Sequence, residues 1–484
     1  MKPRPSRAGL SLGTHACLIR AVTLRRSTAA LSLIVAGVLG AVGAGPAEAV
    51  PDSPPNAVQA AVIATKAFTY GFPLMEFERV RAESASTPCA GHRGESTINL
   101  LTSSDHFMKP EAHIVVAPNV DTLYSMANID LSKGPVVLSH PDMGDRYFSF
   151  QLMDPYTNVA AYVGSRTTGS DAGRYAISWS GNPGTVPGAT TITVDHARLW
   201  LIGRTLAGDE ADQRAAFEKM KHYSLTPPGG APRSATCDFE SVTSIGQPDG
   251  IAWLDALSAA MKHNPAPRRA AAAVAELARI GVGPGLRVSQ AGLSPAAQAA
   301  VDQAVRAAAA ALPETARASQ QATALRNRGW GAPPDNIGDY GTDYVTRAGV
   351  AEIGLGANTP AEAAYNPAFS SVDLLPLDGR LSPYRLHFAA GEEPPADAFW
   401  SVTAYDGDGY LVPKNRHSVS DSRPDLVRRP DGSIDIVFST HRPTDPSVNW
   451  LPVPAGPFRV YLRTYAPKAP VLDHTWTPPG IERY

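Results

Sequence analysis

Several chemistries are missing from this 484-residue sequence. None of its twelve histidines stands in H-E-x-x-H or another close ligand spacing, so a metal centre would need tertiary assembly, for instance from His106 and His113. No G-x-S-x-G elbow occurs, and neither Cys89 nor Cys237 carries a nucleophile signature. Gly281-Val282-Gly283-Pro284-Gly285 lacks the Lys and the following Ser or Thr of a phosphate loop, and Pro284 removes a backbone donor. These absences argue against serine hydrolases, P-loop enzymes and dinucleotide oxidoreductases, and no cofactor is expected. Asp406-Gly407-Asp408-Gly409 is not followed by EF-hand oxygen ligands, since Tyr410 and Val412 take their places, and it reads as a turn.

Apolar runs are also scarce. One covers residues 29–42, behind a basic region of Lys2, Arg4, Arg7, Arg20, Arg25 and Arg26, and ends at Ala47-Glu48-Ala49. That pattern predicts a signal peptide over residues 1–49, cleaved after Ala49, and a secreted or extracytoplasmic protein. An uncleaved anchor is the alternative, although the run falls short of the roughly 20 residues of a comfortable span. Arg25-Arg26 raises the twin-arginine route, to which Ser27-Thr28 is a poor match. Without the leader, 37 Lys and Arg face 44 Asp and Glu, a formal −7. No basic stripe and no further apolar run remain, so neither nucleic acid nor a membrane span is expected. A small molecule or carbohydrate could be the partner, of an extracytoplasmic enzyme with an interdomain cleft or, alternatively, of a non-catalytic ligand-binding protein; an envelope or structural interaction protein is the other alternative.

Cysteine is nearly absent. Cys17 leaves with the leader, and the remaining Cys89 and Cys237 suggest one bridge in an oxidising compartment, or two buried thiols that never meet. A bridge closing so long a loop would add on the order of 4–5 kcal/mol in the chain-entropy model.

What is present is β grammar at both ends of the mature chain. A short helix is expected over residues 58–69, stopped by Tyr70-Gly71-Phe72-Pro73. Residues 146–154 alternate Phe148, Phe150 and Leu152 with Tyr147, Ser149 and Gln151, the period of a half-buried strand. Residues 208–325 turn helical, with Ser294-Pro295 as a start signal ahead of Val301, Val305, Ala308 and Leu312. Alternation returns in residues 398–406, 434–438 and 458–462. The predicted organisation is an N-terminal β-sandwich with its leading helix over 50–207, a helical bridge over 208–335 and a C-terminal β-sandwich over 336–484. The fold class is mainly β with a helical insertion. One echo joins the two ends: Tyr147-Phe148-Ser149-Phe150-Gln151-Leu152-Met153-Asp154 matches Phe399-Trp400-Ser401-Val402-Thr403-Ala404-Tyr405-Asp406, an eight-column match that raises internal duplication.

Longer motifs carry a resemblance. Pro118-Asn119-Val120-Asp121-Thr122-Leu123-Tyr124, the 146–154 strand with Tyr156-Thr157-Asn158-Val159, and Gly164-Ser165-Arg166-Thr167-Thr168-Gly169 resemble the family called domain of unknown function 1254. Phe399-Trp400-Ser401, Asn415-Arg416, Asn449-Trp450-Leu451-Pro452, Gly456-Pro457-Phe458 and Trp476-Thr477-Pro478-Pro479 resemble its partner, domain of unknown function 1214. Gly354-Leu355-Gly356-Ala357-Asn358 between them also looks like the tandem family, whereas His417 stands where that family tends to have an aromatic residue. The resemblance implies two jelly-roll-like β-sandwich domains and no agreed reaction.

The candidate site is the polar set of the first β region. Asp121, Tyr124 and Arg166 offer a carboxylate, a phenol and a guanidinium for catalysis, with Asn119, Gln151 and Asn158 as ligand contacts. The guanidinium would equally grip a carboxylate or sulfate. The same residues also suit turns and strand staples. Trp400, Tyr405, Tyr461, Tyr465, Trp450 and Trp476 could form a sugar platform, with Tyr461 and Tyr465 as the exposed pair, or they could be core.

Overall fold

The computed structural model describes residues 53–111, 117–240, 244–413 and 416–484. The expected leader with Cys17 and its cleavage site, as well as His113 and Asn415, lie outside the described residues. Helix α1 (Ala57–Ser86) opens on a capping box: the Asn56 side chain accepts from the Gln59 amide at 3.0 Å, and Gln59 accepts from the Asn56 amide at 3.1 Å. It runs through the expected stop, with Pro73 inside. Pro73 leaves the Thr69 carbonyl one turn back without its ladder donor; on the next residue, the Arg347 guanidinium donates to the Tyr70 carbonyl at 2.7 Å. Gly71 is a contact position rather than a terminator. A Cβ there would lie 2.3 Å from Leu257 Cδ2, so glycine is what lets a second helix approach.

Strands β1 (Leu101–Ser103), β2 (Thr122–Asp130), β3 (Val136–His140), β4 (Phe148–Met153), β5 (Val159–Gly164), β6 (Gly173–Trp179), β7 (Thr190–Val194) and β8 (Arg198–Leu206) follow. Helix α2 (Glu210–Met220) leads into β9 (Ser224–Thr226) and β10 (Ser234–Thr236). The stretch expected to be helical thus returns two strands to the first β region. They build a six-stranded sheet, β10-β1-β2-β8-β4-β5, and a four-stranded sheet, β7-β6-β3-β9. Leu123, Phe148, Phe150, Leu152 and Leu201 from the first meet Val136, Leu138 and Ile177 from the second in one apolar core. A disulfide joins Cys89, just past α1, to Cys237, just past β10, with Cα atoms 5.4 Å apart.

Helices α3 (Gly250–His263), α4 (Ala271–Ala278), α5 (Pro295–Ala324) and α6 (Tyr344–Gly354) gather with α1 around Phe68, Leu74, Trp253, Leu257, Val301 and Val305. The Ser294 hydroxyl caps α5 as its sequence predicts, accepting from the Ala297 amide at 3.2 Å. The leading helix belongs to this layer by its packing.

The chain then forms β11 (Ala363–Ala368), β12 (Tyr384–Phe388), β13 (Ala396–Asp406), β14 (Ser418–Ser420), β15 (Ile434–Ser439), β16 (Asn449–Pro452) and β17 (Phe458–Pro467). Helix α7 (Ala469–Leu472) and β18 (Glu482–Arg483) end it. The sheets are β11-β17-β13-β14 and β16-β15-β12-β18, around a core of Leu386, Trp400, Val402, Ile436 and Val460.

The two β regions repeat one plan. Setting β1 and β10 aside, β2-β8-β4-β5 corresponds to β11-β17-β13-β14, antiparallel throughout. In the companion sheets β6 pairs with β7 in parallel, as β15 does with β16, while β3 pairs antiparallel with β6 and β9, as β12 does with β15 and β18. Even α2, between β8 and β9, has its counterpart in α7, between β17 and β18. The eight-residue echo marks β4 and β13, which hold equivalent places.

Both of these strands alternate as predicted, but neither is half-buried. Every residue of β4 is buried, and so are residues 399–405 of β13. The face carrying Tyr147, Ser149 and Gln151, expected to point outward, is covered because the corresponding face of the second β region packs against it. The Tyr147 and Phe399 rings stand edge to face at 5.6 Å.

Candidate functional site

The junction of the two regions is a buried layer of charges and phenols. Asn119 makes the turn that enters β2: its Oδ1 accepts from the Asp121 amide at 2.6 Å, and its Nδ2 donates to the Tyr465 hydroxyl. Asp121, 1% exposed, reaches into the other region. Its Oδ2 accepts from Ser401 at 2.6 Å and its Oδ1 from Ser418 at 2.8 Å, with Arg423 Nη2 3.6 Å away.

Glu362 does the same in reverse. It precedes β11 as Asp121 precedes β2, and it accepts from the Tyr147 hydroxyl and from Arg166 Nε, each at 2.7 Å. The backbones agree: the Asp121 carbonyl accepts from Ala207 and the Glu362 carbonyl from Ala466, both at 2.9 Å. Each region therefore sends one buried carboxylate to an arginine that follows the edge strand of the other. Such reciprocity characterises isologous dimer interfaces, here made within one chain.

Two more arginines lie between these clasps. Arg204 on β8 is flanked in register by Tyr124 on β2 and Ser149 on β4; Arg463 on β17 is flanked by Tyr365 on β11 and Ser401 on β13. Arg204 donates to Gln151 Oε1 and Asn358 Oδ1, both at 2.9 Å, and to the Gly356 carbonyl at 2.7 Å. Arg463 donates to Thr403 at 3.1 Å, the Ala117 carbonyl at 2.8 Å and the Tyr405 hydroxyl at 2.9 Å. All these acceptors are neutral. Among the described residues neither guanidinium has a carboxylate within 4 Å, although Arg204 is 6% and Arg463 3% exposed.

The phenols around them play both parts: Tyr147 donates to Glu362, while Tyr465 accepts from Asn119, Tyr405 from Arg463 and Tyr365 from Asn358. Burial raises the Tyr124 pKa, and it raises those of Tyr147 and Tyr465 well above the ordinary value. Tyr124 and Tyr465 feel each other and Tyr365 across the junction. Tyr124, Tyr162, Tyr365 and Tyr461 are only half-buried, so the layer is not sealed. Residues 356–358, part of the Gly354-Leu355-Gly356-Ala357-Asn358 motif, line one side. Gly356 has φ +85° and passes within 2.7 Å of Ile202 from a virtual Cβ, which a side chain would block.

Of the residues singled out from sequence, Asn119, Asp121, Tyr124, Gln151 and Arg166 all fall in this layer. Asn119 and Asp121 are joined directly, and the side chains of Asn119, Asp121, Gln151 and Arg166 also bond partners on the second region. Asn158 makes its contacts elsewhere, donating to Asp154 Oδ2 at 3.0 Å and accepting from Arg269 at 3.0 Å. Trp400 leaves the site altogether, because its position in β13 points into the second core against Phe388. Tyr465 is fully buried and stacks on Phe399 at 4.1 Å, contrary to the expected exposure. With Trp400 on one face of its sheet and Tyr405 and Tyr465 on the other, these rings form no continuous sugar platform.

Arg204, Glu362, Asn358, Tyr365 and Arg463 were not among the candidates. The available signal for Arg204 is a lone cation inside the apolar strand Leu199-Trp200-Leu201-Ile202-Gly203-Arg204. His106, Asp238 and Glu240 come together near Cys237, their ligating atoms within 4.8 Å of one another. Glu240 is engaged there by Lys109, through its amide at 2.6 Å and its ammonium at 3.4 Å.

Residues 98–227 match the family model described as Protein of unknown function (DUF1254), and residues 362–469 match Protein of unknown function (DUF1214). No curated protein matches. Among solved structures, the VPA0106 protein from Vibrio parahaemolyticus is similar at 23% identity and a TM-score of 0.62, over 88% of this chain and 100% of that one. A putative uncharacterized protein from Burkholderia cenocepacia aligns over 96% of this chain and 98% of its own, at 13% identity and a TM-score of 0.42. The first of these shares the fold. The chain carries a DUF1254 region followed by a DUF1214 region, in that order along the sequence.

Proposed function

We propose that the junction layer binds a small anionic organic molecule, held by Arg204 and Arg463 among the phenols of Tyr124, Tyr365 and Tyr162. The observation that carries this reading is the pair of nearly fully buried guanidiniums with no carboxylate within 4 Å among the described residues, Asp121 acting on Arg463 only from farther away. A buried charge that lacks a counter-charge costs several kcal/mol, and a ligand anion is the economical way to offset it. The half-buried phenols add hydroxyl groups and an apolar wall. The contacts favour binding over acid–base chemistry at Asp121, since both of its oxygens are engaged by Ser401, Ser418 and Arg423.

Each β region is, in this proposal, a jelly-roll-like β-sandwich, the first within 50–207 completed by β9 and β10 from the 208–335 stretch and the second within 336–484, with α1 and α6 packed into the helical layer. Two sheets sharing one apolar core in each region support it. An exported protein with its leader removed after Ala49 is compatible with the Cys89–Cys237 bridge. Among the described residues no helix is long and apolar enough to cross a membrane.

Thermal melting at constant ionic strength tests the binding. Sulfate or a small carboxylate should raise Tm over chloride by the linkage expected of a ligand specific to the folded state, and Arg204→Gln should abolish the rise. Equal melting in chloride, sulfate and carboxylate would remove the proposal.

A further inference from the structure

The repeat plan says more about the ligand than its sign. Arg204 and Arg463 occupy equivalent positions on β8 and β17, and each is set between a tyrosine and a serine at equivalent positions on the neighbouring strands. Both lie on the faces that the two regions turn toward each other. Asp121 is matched by Arg423 and Glu362 by Arg166, so the two reciprocal clasps are neutral in themselves. Asp121 also acts on Arg463 from beyond 4 Å, yet the four guanidiniums of the layer still outnumber its two carboxylates by two. Tyr124 lies beside Arg204, whose guanidinium is 5.9 Å from its ring, and is within electrostatic reach of Arg463.

We infer that the ligand carries two anionic groups, one for each guanidinium, and spans the junction as a short dicarboxylate would. This rests on the anion-site reading above. A ligand with a single carboxylate would leave one buried guanidinium without a counter-charge, whereas a dianion offsets both. Planar guanidinium groups pair with carboxylates through two parallel hydrogen bonds, and the phenols and the Ile202–Met126 side of the layer give the connecting carbons an apolar wall. The ends of the ligand are not met identically. Gln151, Asn358 and Gly356 fix Arg204, while Thr403, Tyr405 and Ala117 fix Arg463. A ligand with unlike halves is therefore accommodated in one orientation.

Isothermal titration of the full chain with malonate, succinate, glutarate and adipate, beside acetate, propionate and butyrate, tests this without any variant. One dicarboxylate should bind on the order of tenfold or more tighter than every monocarboxylate, the gain of a second charge-assisted contact. Arg204→Gln and Arg463→Gln should each bring its affinity down to the monocarboxylate level, with Arg204→Lys and Arg463→Lys as charge-retaining alternatives should the glutamine forms not fold. Monocarboxylates binding as tightly as all the dicarboxylates would overturn the two-headed ligand and leave the anion site standing. No heat and no competition with any of these acids would remove both.

Discussion

A buried carboxylate sets the energetics at the level of single residues. Asp121 and Glu362 are each 1% exposed and each reach across the junction. An intact buried ion pair is weak evidence for stability, but removing one partner leaves the other without its match. Asp121→Ala should therefore cost about 3 kcal/mol or more, read as a lower urea midpoint with the slope unchanged; a loss below 1 kcal/mol would show that the clasp is not structural. His140 offers a pH handle. It is 4% exposed, its Nδ1 lies 2.8 Å from the Pro141 carbonyl, and burial lowers its pKa. Below its unfolded value of about 6.5 the unfolded chain takes up a proton that the folded one resists, so this contribution is full above that pH and is lost as pH falls to the lower folded value. Stability measured from pH 7.5 to 5 should decline, and His140→Gln should decline less; parallel curves would contradict the assignment. At this scale the sequence carried half the site. Asn119, Asp121, Tyr124, Gln151 and Arg166 were legible as a polar set, while their partners were not, because Ser401, Glu362 and Arg463 lie far away in sequence and only tertiary packing brings them near.

Among elements, α1 shows how a correct local rule can be outweighed. Gly71 and Pro73 are helix stops in isolation, but tertiary contacts change the balance: the Arg347 guanidinium packs on this turn and donates to the Tyr70 carbonyl, and Gly71 gives Leu257 room. That guanidinium also faces the rings of Tyr70, Tyr156 and Tyr344 at 5.1, 5.5 and 4.9 Å. Gly71→Ala should cost about 1–3 kcal/mol by overpacking, despite alanine's better helix propensity. Pairing it with Leu257→Ala should give a loss smaller than the sum of the two single changes. A neutral or stabilising Gly71→Ala would mean that the helices separate easily. The strands fared better, because period-two alternation survives in β4, β13, β15 and β17. What alternation does not report is which face meets solvent. The polar face of β4 reads as outward because it carries Ser149 and Gln151, whereas it meets the Ser401 and Thr403 face of β13's sheet.

For the whole molecule, the echo between residues 147–154 and 399–406 was the most informative pattern in the sequence. It marks two strands with the same place in the same strand order, and both end in an aspartate that closes a turn. Asp154 Oδ1 accepts from the Tyr156 and Asn158 amides, and Asp406 Oδ1 from those of Asp408, Gly409 and Tyr410. The rest of the repeat left no comparable trace because core positions tolerate many apolar side chains, and strand order is not written in any local window. Two similar halves facing each other put equivalent arginines on opposite sides of one layer, and the proposed function depends on that arrangement. Anomalous diffraction from crystals grown with selenate tests it most directly. A selenium peak within hydrogen-bond reach of Arg204 or Arg463 is expected, and selenate confined to surface lysines and arginines, with none in the junction, would contradict it.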